Sequence, residues 1–407
     1  VAALSLAARP SRESIYLDHA AATPLDPRVE AAMHAAAAAA FANPSSPHAA
    51  GRRARALLED AREQILTLVG GRTSGASRDR LVFTSGATEA NRLGVLGTAG
   101  SHAGIVAYSP RDHGSVVTAA ARLVAAGWRG VPLPLDTGGG ACSAAGRLAA
   151  TSRNCPLVLC LTPLCGQTGI RDSLEPLAAA SPATTPLVHA DATQAIAWDA
   201  ISFRDLPLTS LAFAPCKFGG PRGIGALVLR GDVPLEPLAD GPQERGLRGG
   251  TEPVALAVGF ATALELAATG RREAGRHVTL LREAFERNVV AAARRHGIDS
   301  YVVGQGADRG PHITTIAFRG CDRQAVVMAA DLAGLCLATG TACASGSSEP
   351  SAAVAALGLP SWVPAAAIRA SFAASITTAE VDLAIAKLDG VFRGFVAGGL
   401  HRSIDTQ

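Results

Sequence analysis

Lysine is almost missing from this chain. Of 37 basic residues only Lys217 and Lys387 are lysines, and the other 35 are arginines, in a 407-residue sequence also rich in alanine and glycine. Charge is sparse as well: 17% of residues are charged and the formal net charge is +3. So small a bias gives no electrostatic case for nucleic acid or an anionic membrane surface. No uninterrupted apolar run reaches the ~18–20 residues that span a bilayer, so no membrane partner is expected. The apolar opening, VAALSLAA, is short and runs straight into Arg9, Pro10 and Arg12, which makes it a poor secretory signal. Paired cysteines are lacking too. Cys142, Cys155, Cys160, Cys165, Cys216, Cys321, Cys336 and Cys343 form no CxxC, and no histidine completes a zinc pattern around the first four. No metal is expected, and most cysteines read as reduced, buried small hydrophobes of a cytoplasmic protein.

Apolar residues, by contrast, make up 48% of the chain, ample for a large core. Short apolar runs alternate with helical patterns over the first two-thirds. Strands are expected at 81–84, 105–108, 157–162, 187–190, 211–213 and 224–229. Helices such as 51–69 intervene, with Leu57, Leu58, Ala61, Ile65 and Leu68 on one face. Strands alternating with helices imply a mostly parallel sheet covered on both faces. After Pro253 a long helical region runs to about Arg295. Strands at 313–318 and 368–372 and helices at 323–333 and 378–391 then outline a smaller α+β domain.

The two lysines carry the first chemical argument. Where arginine could replace lysine, it has. A retained lysine is a candidate for what guanidinium cannot do, losing a proton and forming an imine. Lys387 lies in a charged helical stretch where a salt-bridging role suffices. Lys217 lies in CKFGGPRGIG (216–225), where none is evident.

Three more segments join it. In FTSGATEA (83–90) a strand ends in a small-residue turn that feeds a helix, either an anion site or a plain Ser-capped helix start. Thr88 adds a hydroxyl to the first reading. In VHADATQ (188–194) Asp191 ends an apolar strand, where open α/β sheets place ligands; it either meets a cationic ring nitrogen or caps a helix. In LATGTACASGSSEPS (337–351) Cys343 sits among small residues, either as a nucleophile that must travel or as an incidental thiol. A phosphate turn, an acid for a ring nitrogen and an imine lysine, in this order along the chain, are the parts of a pyridoxal phosphate enzyme.

Together with IYLDHAAATP (15–24), NPSSPHAAGRRA (43–54) and IRASFAASITTAEVD (368–382), these segments resemble the cysteine desulfurase and selenocysteine lyase family of the class V aminotransferase fold. The ACASGSSEPS loop resembles the long loop of its NifS/IscS-like group. The resemblance implies an α/β fold of fold type I. A large domain, 21–255, would carry a mostly parallel seven-stranded sheet and bind pyridoxal 5'-phosphate. A small α+β domain, 256–407, would carry the Cys343 loop, with 1–20 packing on it. It also implies roles. Lys217 would hold the cofactor covalently and move the Cα proton. Asp191 would pair with the ring nitrogen, Gln194 would meet the ring hydroxyl, and His113 would stack on the ring and handle protons. Ala87 and Thr88 would bind phosphate, as would Thr251 from a neighbouring subunit, implying a homodimer. Arg369 would clamp the substrate carboxylate. Cys343 would take sulfur from L-cysteine as a persulfide, release L-alanine and pass the sulfur to a protein or small-molecule acceptor.

Three departures from the family pattern stand out. Ala214-Pro215-Cys216-Lys217 replaces Ser-x-His-Lys, Gly166 replaces an asparagine, and Ala373-Ala374 replaces Gly-Arg. Each lost hydrogen bond would cost roughly 0.5–1.5 kcal/mol. The competing readings are a selenocysteine lyase, a lyase that eliminates sulfur from cysteine or cystine without a persulfide, and a catalytically eroded scaffold.

Overall fold

A computed structural model describes residues 14–100, 103–152, 155–174, 177, 186–340 and 349–398. The strands are β1 (Ile15–Tyr16), β2 (Arg80–Thr84), β3 (Ile105–Tyr108), β4 (Arg129–Pro132), β5 (Leu157–Leu161), β6 (Leu187–Asp191), β7 (Ser210–Phe213), β8 (Gly225–Leu229), β9 (Ser300–Val302), β10 (Ile313–Phe318), β11 (Leu335–Cys336) and β12 (Ala367–Ser371). The α-helices are α1 (Pro27–Ala39), α2 (Ala49–Leu68), α3 (Ala87–Ala99), α4 (Gly114–Ala125), α5 (Cys142–Thr151), α6 (Val254–Arg295), α7 (Arg323–Leu332), α8 (Ala352–Ala355), α9 (Trp362–Ala366) and α10 (Thr378–Ala397).

Seven strands form the main sheet in the order β2-β8-β7-β6-β5-β3-β4. Only β8 runs against its neighbours, β2 and β7. Strands β5 (LVLCL) and β7 (SLAF) are buried along their whole length. That is the near-continuous apolar pattern of strands covered on both faces. Helix α2 forms because Ala54, Leu58, Ala61 and Ile65 recur every three or four residues and are all buried. The His48 ring starts this helix, accepting from the Gly51 N–H at 3.1 Å. A second, antiparallel sheet has the order β12-β10-β9, and β1 pairs in parallel with β11.

Five apolar clusters result, and two of them are large. The larger lies on the main sheet. The smaller gathers Ile15, Leu17, Phe285, Phe318, Phe372 and Phe392 beneath the second sheet. Helix α6 belongs to both: Val254, Ala257, Phe260 and Leu264 enter the larger core, and Val278, Phe285 and Val289 the smaller. The expected division at 255/256 therefore falls in the first turn of a continuous helix. Over one 18-residue window α6 is long and apolar enough to cross a membrane by length and composition. Glu265 interrupts the run that a search for unbroken apolar stretches would find. Among the described residues no group of three or more metal-ligating side chains occurs.

Candidate active site

The C-terminal ends of β6 and β7 lie side by side, with Asp191 opposite Ala212. β6 delivers Asp191, which is 5% exposed. Its Oδ1 accepts from the Thr193 N–H at 3.0 Å and the Thr193 hydroxyl at 2.5 Å, and its Oδ2 accepts from Asn91 Nδ2 at 2.8 Å. The aspartate bends its own backbone into a turn and starts no helix. After β7 a 3-10 turn, Pro215–Lys217, ends at the lysine. Lys217 Nζ donates to the Ala21 carbonyl at 2.6 Å, and the Lys217 carbonyl accepts from the Thr23 hydroxyl at 3.0 Å. The 15–24 segment thus runs along the lysine. It also meets Gln194, whose Nε2 donates to the Ala20 carbonyl at 2.9 Å. Gln194 Oε1 accepts from His312 Nε2 at 3.1 Å, and His312 stacks on Trp198 with ring centres 4.6 Å apart. Burial, and then the Arg171 charge, push His312 well below the ordinary histidine value, so this ring stays neutral.

At the same end of the sheet, on its edge strand, β2 stops at Thr84 and α3 begins at Ala87. The residue before the helix is Gly86, which brings no side chain to cap it. This removes the Ser-capped alternative and leaves the first-turn N–H groups without an internal side-chain acceptor. A Cβ at Gly225 would lie 2.4 Å from the Gly86 carbonyl carbon, so β8 can pass directly behind the turn only as glycine. Thr88 is exposed on this turn. Glu89 folds back to accept from the Ser85 N–H at 2.6 Å and pairs with Arg248 at 2.9 Å.

One helical turn after Thr88, Asn91 is 1% exposed. It joins Asp191 to His189 and, through Ser115, to His113. His113 caps the start of α4. Asn91 and His189 were not foreseen as functional, although two signals existed. His189 shares a strand face with Asp191 by the two-residue period, and Asn91 shares a helix face with Thr88 by the three-residue spacing.

The flank nearest β12 is built differently. Arg369 is 3% exposed; Nη2 donates to Asp18 Oδ1 at 2.8 Å and Nη1 to the Gly166 carbonyl at 2.9 Å. Its Nε, together with Gln167 Oε1, His19 Nδ1 and His312 Nδ1, is buried without a partner among the described residues. Burial lowers His19 to about 4. The root of the 337–351 segment lies here too. Ala338 exchanges backbone hydrogen bonds with Arg369 at 2.7 and 3.1 Å. Gly340 has φ +85°, and a Cβ there would lie 2.6 Å from Gln167 Oε1. Cys343 itself lies outside the described residues.

The contacts tie Lys217, Gln194 and Arg369 to the 15–24 segment or to one another, and Asp191 and His113 to α3, whose first turn holds Ala87 and Thr88. Thr251 is exposed and makes no hydrogen bond to this group among the described residues. The departures have local consequences. Ala214 is 2% exposed, packed as an apolar residue before the lysine turn. A Cβ at Gly166 would lie 3.2 Å from Gln194 Cγ, so any side chain there crowds Gln194.

The donor set fits pyridoxal phosphate. The uncapped α3 turn suits a dianion, the Asp191 carboxylate a protonated ring nitrogen, and Lys217 an imine. The buried, unpartnered Nε of Arg369 suits a further anionic group.

Comparison with known proteins shows the family and the fold. The model of the family Aminotransferase class-V matches residues 15–383. A cysteine desulfurase of Cereibacter sphaeroides is 36% identical over 377 residues, 91% of this chain and 93% of that one. An IscS-like cysteine desulfurase of Mycobacterium tuberculosis is 34% identical over 389 residues, 92% of this chain and 95% of that one. The solved structure of a NifS-like protein from Rickettsia africae, 24% identical, shares the fold with a TM-score of 0.82 over 93% of this chain and 99% of that one. The chain belongs to the class-V aminotransferase family and groups there with the cysteine desulfurases.

Proposed function

We propose that the protein is a pyridoxal phosphate-dependent cysteine desulfurase that converts L-cysteine to L-alanine and carries the sulfur on Cys343. The observation that carries this reading is the position of Lys217. One of only two lysines in the chain, it closes the turn at the end of β7, beside the Asp191 strand end, and among the described residues its Nζ donates to a backbone carbonyl.

Lys217 would hold the cofactor, Asp191 its ring nitrogen, the Ala87–Thr88 turn its phosphate, and Gln194 and His113 its ring. Bound there, the cofactor supplies a sink for the electron pair left when the substrate Cα loses its proton. Lys217 takes that proton. Arg369 receives the substrate carboxylate, with Asp18 sharing the guanidinium. The Cys343 thiolate attacks the substrate sulfur: the S–S bond forms, the carbon–sulfur bond breaks, and its electron pair leaves with the carbon, which is protonated to alanine. Proton handling of this kind is typically worth ~10²–10⁴-fold.

A homodimer in which Thr251 reaches the partner's phosphate site, a cytoplasmic location and an unidentified protein or small-molecule sulfur acceptor complete the proposal. Thr251's exposure in one protomer suits the first. The unpaired state of all seven described cysteines supports the second. Mixing cofactor-loaded protein with L-cysteine tests the activity. One added sulfur on Cys343 by intact mass, with alanine released, is expected. Pyruvate and sulfide without a persulfide would assign an eliminating lyase. No turnover and no visible cofactor band would leave the eroded scaffold.

A further inference from the structure

Asn91 holds three polar side chains at once, and hydrogen-bond chemistry allows only one arrangement of their protons. Its Nδ2 lies 2.8 Å from Asp191 Oδ2 and 2.9 Å from Ser115 Oγ; its Oδ1 lies 3.0 Å from His189 Nε2. The carboxylate only accepts, so the amide NH₂ faces it and the amide oxygen faces His189. His189 must therefore carry its proton on Nε2. Its Nδ1, 2.9 Å from Ser210 Oγ, accepts from that hydroxyl. Burial keeps this imidazole neutral, lowering it to about 4 although Asp191 pulls the other way. Gly94 lets the helix come this close, since a Cβ there would lie 2.5 Å from the His189 ring.

The second amide N–H fixes the other branch. Ser115 Oγ accepts from Asn91, so the Ser115 proton is directed to His113 Nδ1 at 2.7 Å. The Ser115 backbone N–H donates to the same nitrogen at 3.2 Å. With two donors aimed at it, Nδ1 presents its lone pair, and the neutral His113 ring carries its proton on Nε2.

We propose that Asn91 is a positioning residue that wires Asp191 to His113, orienting the carboxylate and holding the imidazole in its Nε2–H tautomer. The two groups assigned to the edge and the face of the cofactor ring then share one amide. His113 is set to give a proton from Nε2 and not to accept one there until that proton has left. This inference rests on the cofactor site proposed above.

The test compares wild type with Asn91→Asp, which keeps the shape and loses both donors, and with Ser115→Ala, which cuts only the His113 branch. Nitrogen-15 shifts of labelled histidine, read on the full chain with and without cofactor, should give a protonated Nε2 and an unprotonated Nδ1 for His113. Ser115→Ala should mix the two tautomers. For Asn91→Asp the cofactor dissociation constant should rise about tenfold or more, the effect of losing a hydrogen bond to a charged group. The pH midpoint of the visible band should move with it, while Ser115→Ala affects binding less. Unchanged shifts and an unchanged midpoint in variants that melt like wild type would overturn the wiring. If Asn91→Asp does not fold, Ser115→Ala and the wild-type shifts still decide. A wild type that binds no cofactor would sink the functional reading, while the shifts of the unloaded protein would still judge Asn91.

Discussion

The α3–β6 flank of the site and the β12 flank treat their buried polar atoms in opposite ways. On the first, Asn91, Asp191, His189 and Ser115 use one another fully. On the second, Arg369 Nε, Gln167 Oε1, His19 Nδ1 and His312 Nδ1 have no partner among the described residues. A buried unmet polar group costs about 1–3 kcal/mol. A folded chain tolerates several in one place when something arriving there satisfies them. The contrast separates a flank whose polar atoms are satisfied within the described residues from one that leaves four of them open. In the proposed reading the cofactor's ring would meet the first and the substrate's carboxylate the second.

Four experiments break or sharpen that contrast. Lys217→Arg keeps a cation between the flanks but cannot form an imine. Turnover should fall by about 10³-fold or more with the melting temperature held, as steady-state alanine release would show. On the satisfied flank, His189 couples stability to pH. Its folded value is near 4 against an ordinary 6.5 because it is buried. Between those values the unfolded chain binds a proton that the folded one does not. The stability tied to the neutral ring is therefore full above pH 6.5 and is lost as the pH falls to 4, about 3 kcal/mol at ~1.36 kcal/mol per unit. Buried Asp112, raised to about 7 by burial, acts with the opposite sign. The quantity to measure is thus the difference from His189→Gln. Denaturant titrations should show wild type losing its advantage over that variant by about 3 kcal/mol between pH 7 and pH 4.

On the open flank, Arg369→Lys removes the planar fork and its spare Nε. KM for L-cysteine should rise roughly 10- to 100-fold, with kcat changed less. A larger fall in kcat than rise in KM would place Arg369 in the chemistry and not in binding. The smallest effect belongs to Gly166→Asn, which restores the family's usual residue. Crowding of Gln194, which is held at both ends, should weaken cofactor binding a few-fold, about 1 kcal/mol. Tenfold tighter binding in an equilibrium titration would show that the glycine is a simple loss.

Much of this was legible in the sequence because it depends on period and punctuation. The strand at 105–108 and the helix from 254 to 295 stand where the apolar patterns put them. Lys217 and Asp191 declared themselves by rarity and by place. The edge strand β4, with sequence RGVP, went unseen because an exposed four-residue edge carries no apolar signature. The reversed direction of β8 leaves no mark in a buried apolar strand. His312 and Asp18 come from segments far from Gln194 and Arg369 in sequence. Only the folded chain shows that each holds its partner. Asn91 looked like any helix residue because its significance lies in three contacts made across two other elements.

Helix α6 carries a last consequence. Its 42 residues, at ~1.5 Å each, make a rod about 63 Å long that passes through both cores. Neither half of the molecule can melt alone without stripping packing from a helix the other half also needs. Heat should therefore disrupt both together. Between the two buried stretches lie Gly270 and Gly275, with open space where side chains would stand. Each loosens the helix by about 1 kcal/mol relative to alanine. The two glycines thus make the stretch between the cores the part of the rod with the weakest helical preference of its own, held in line by the packing at either end.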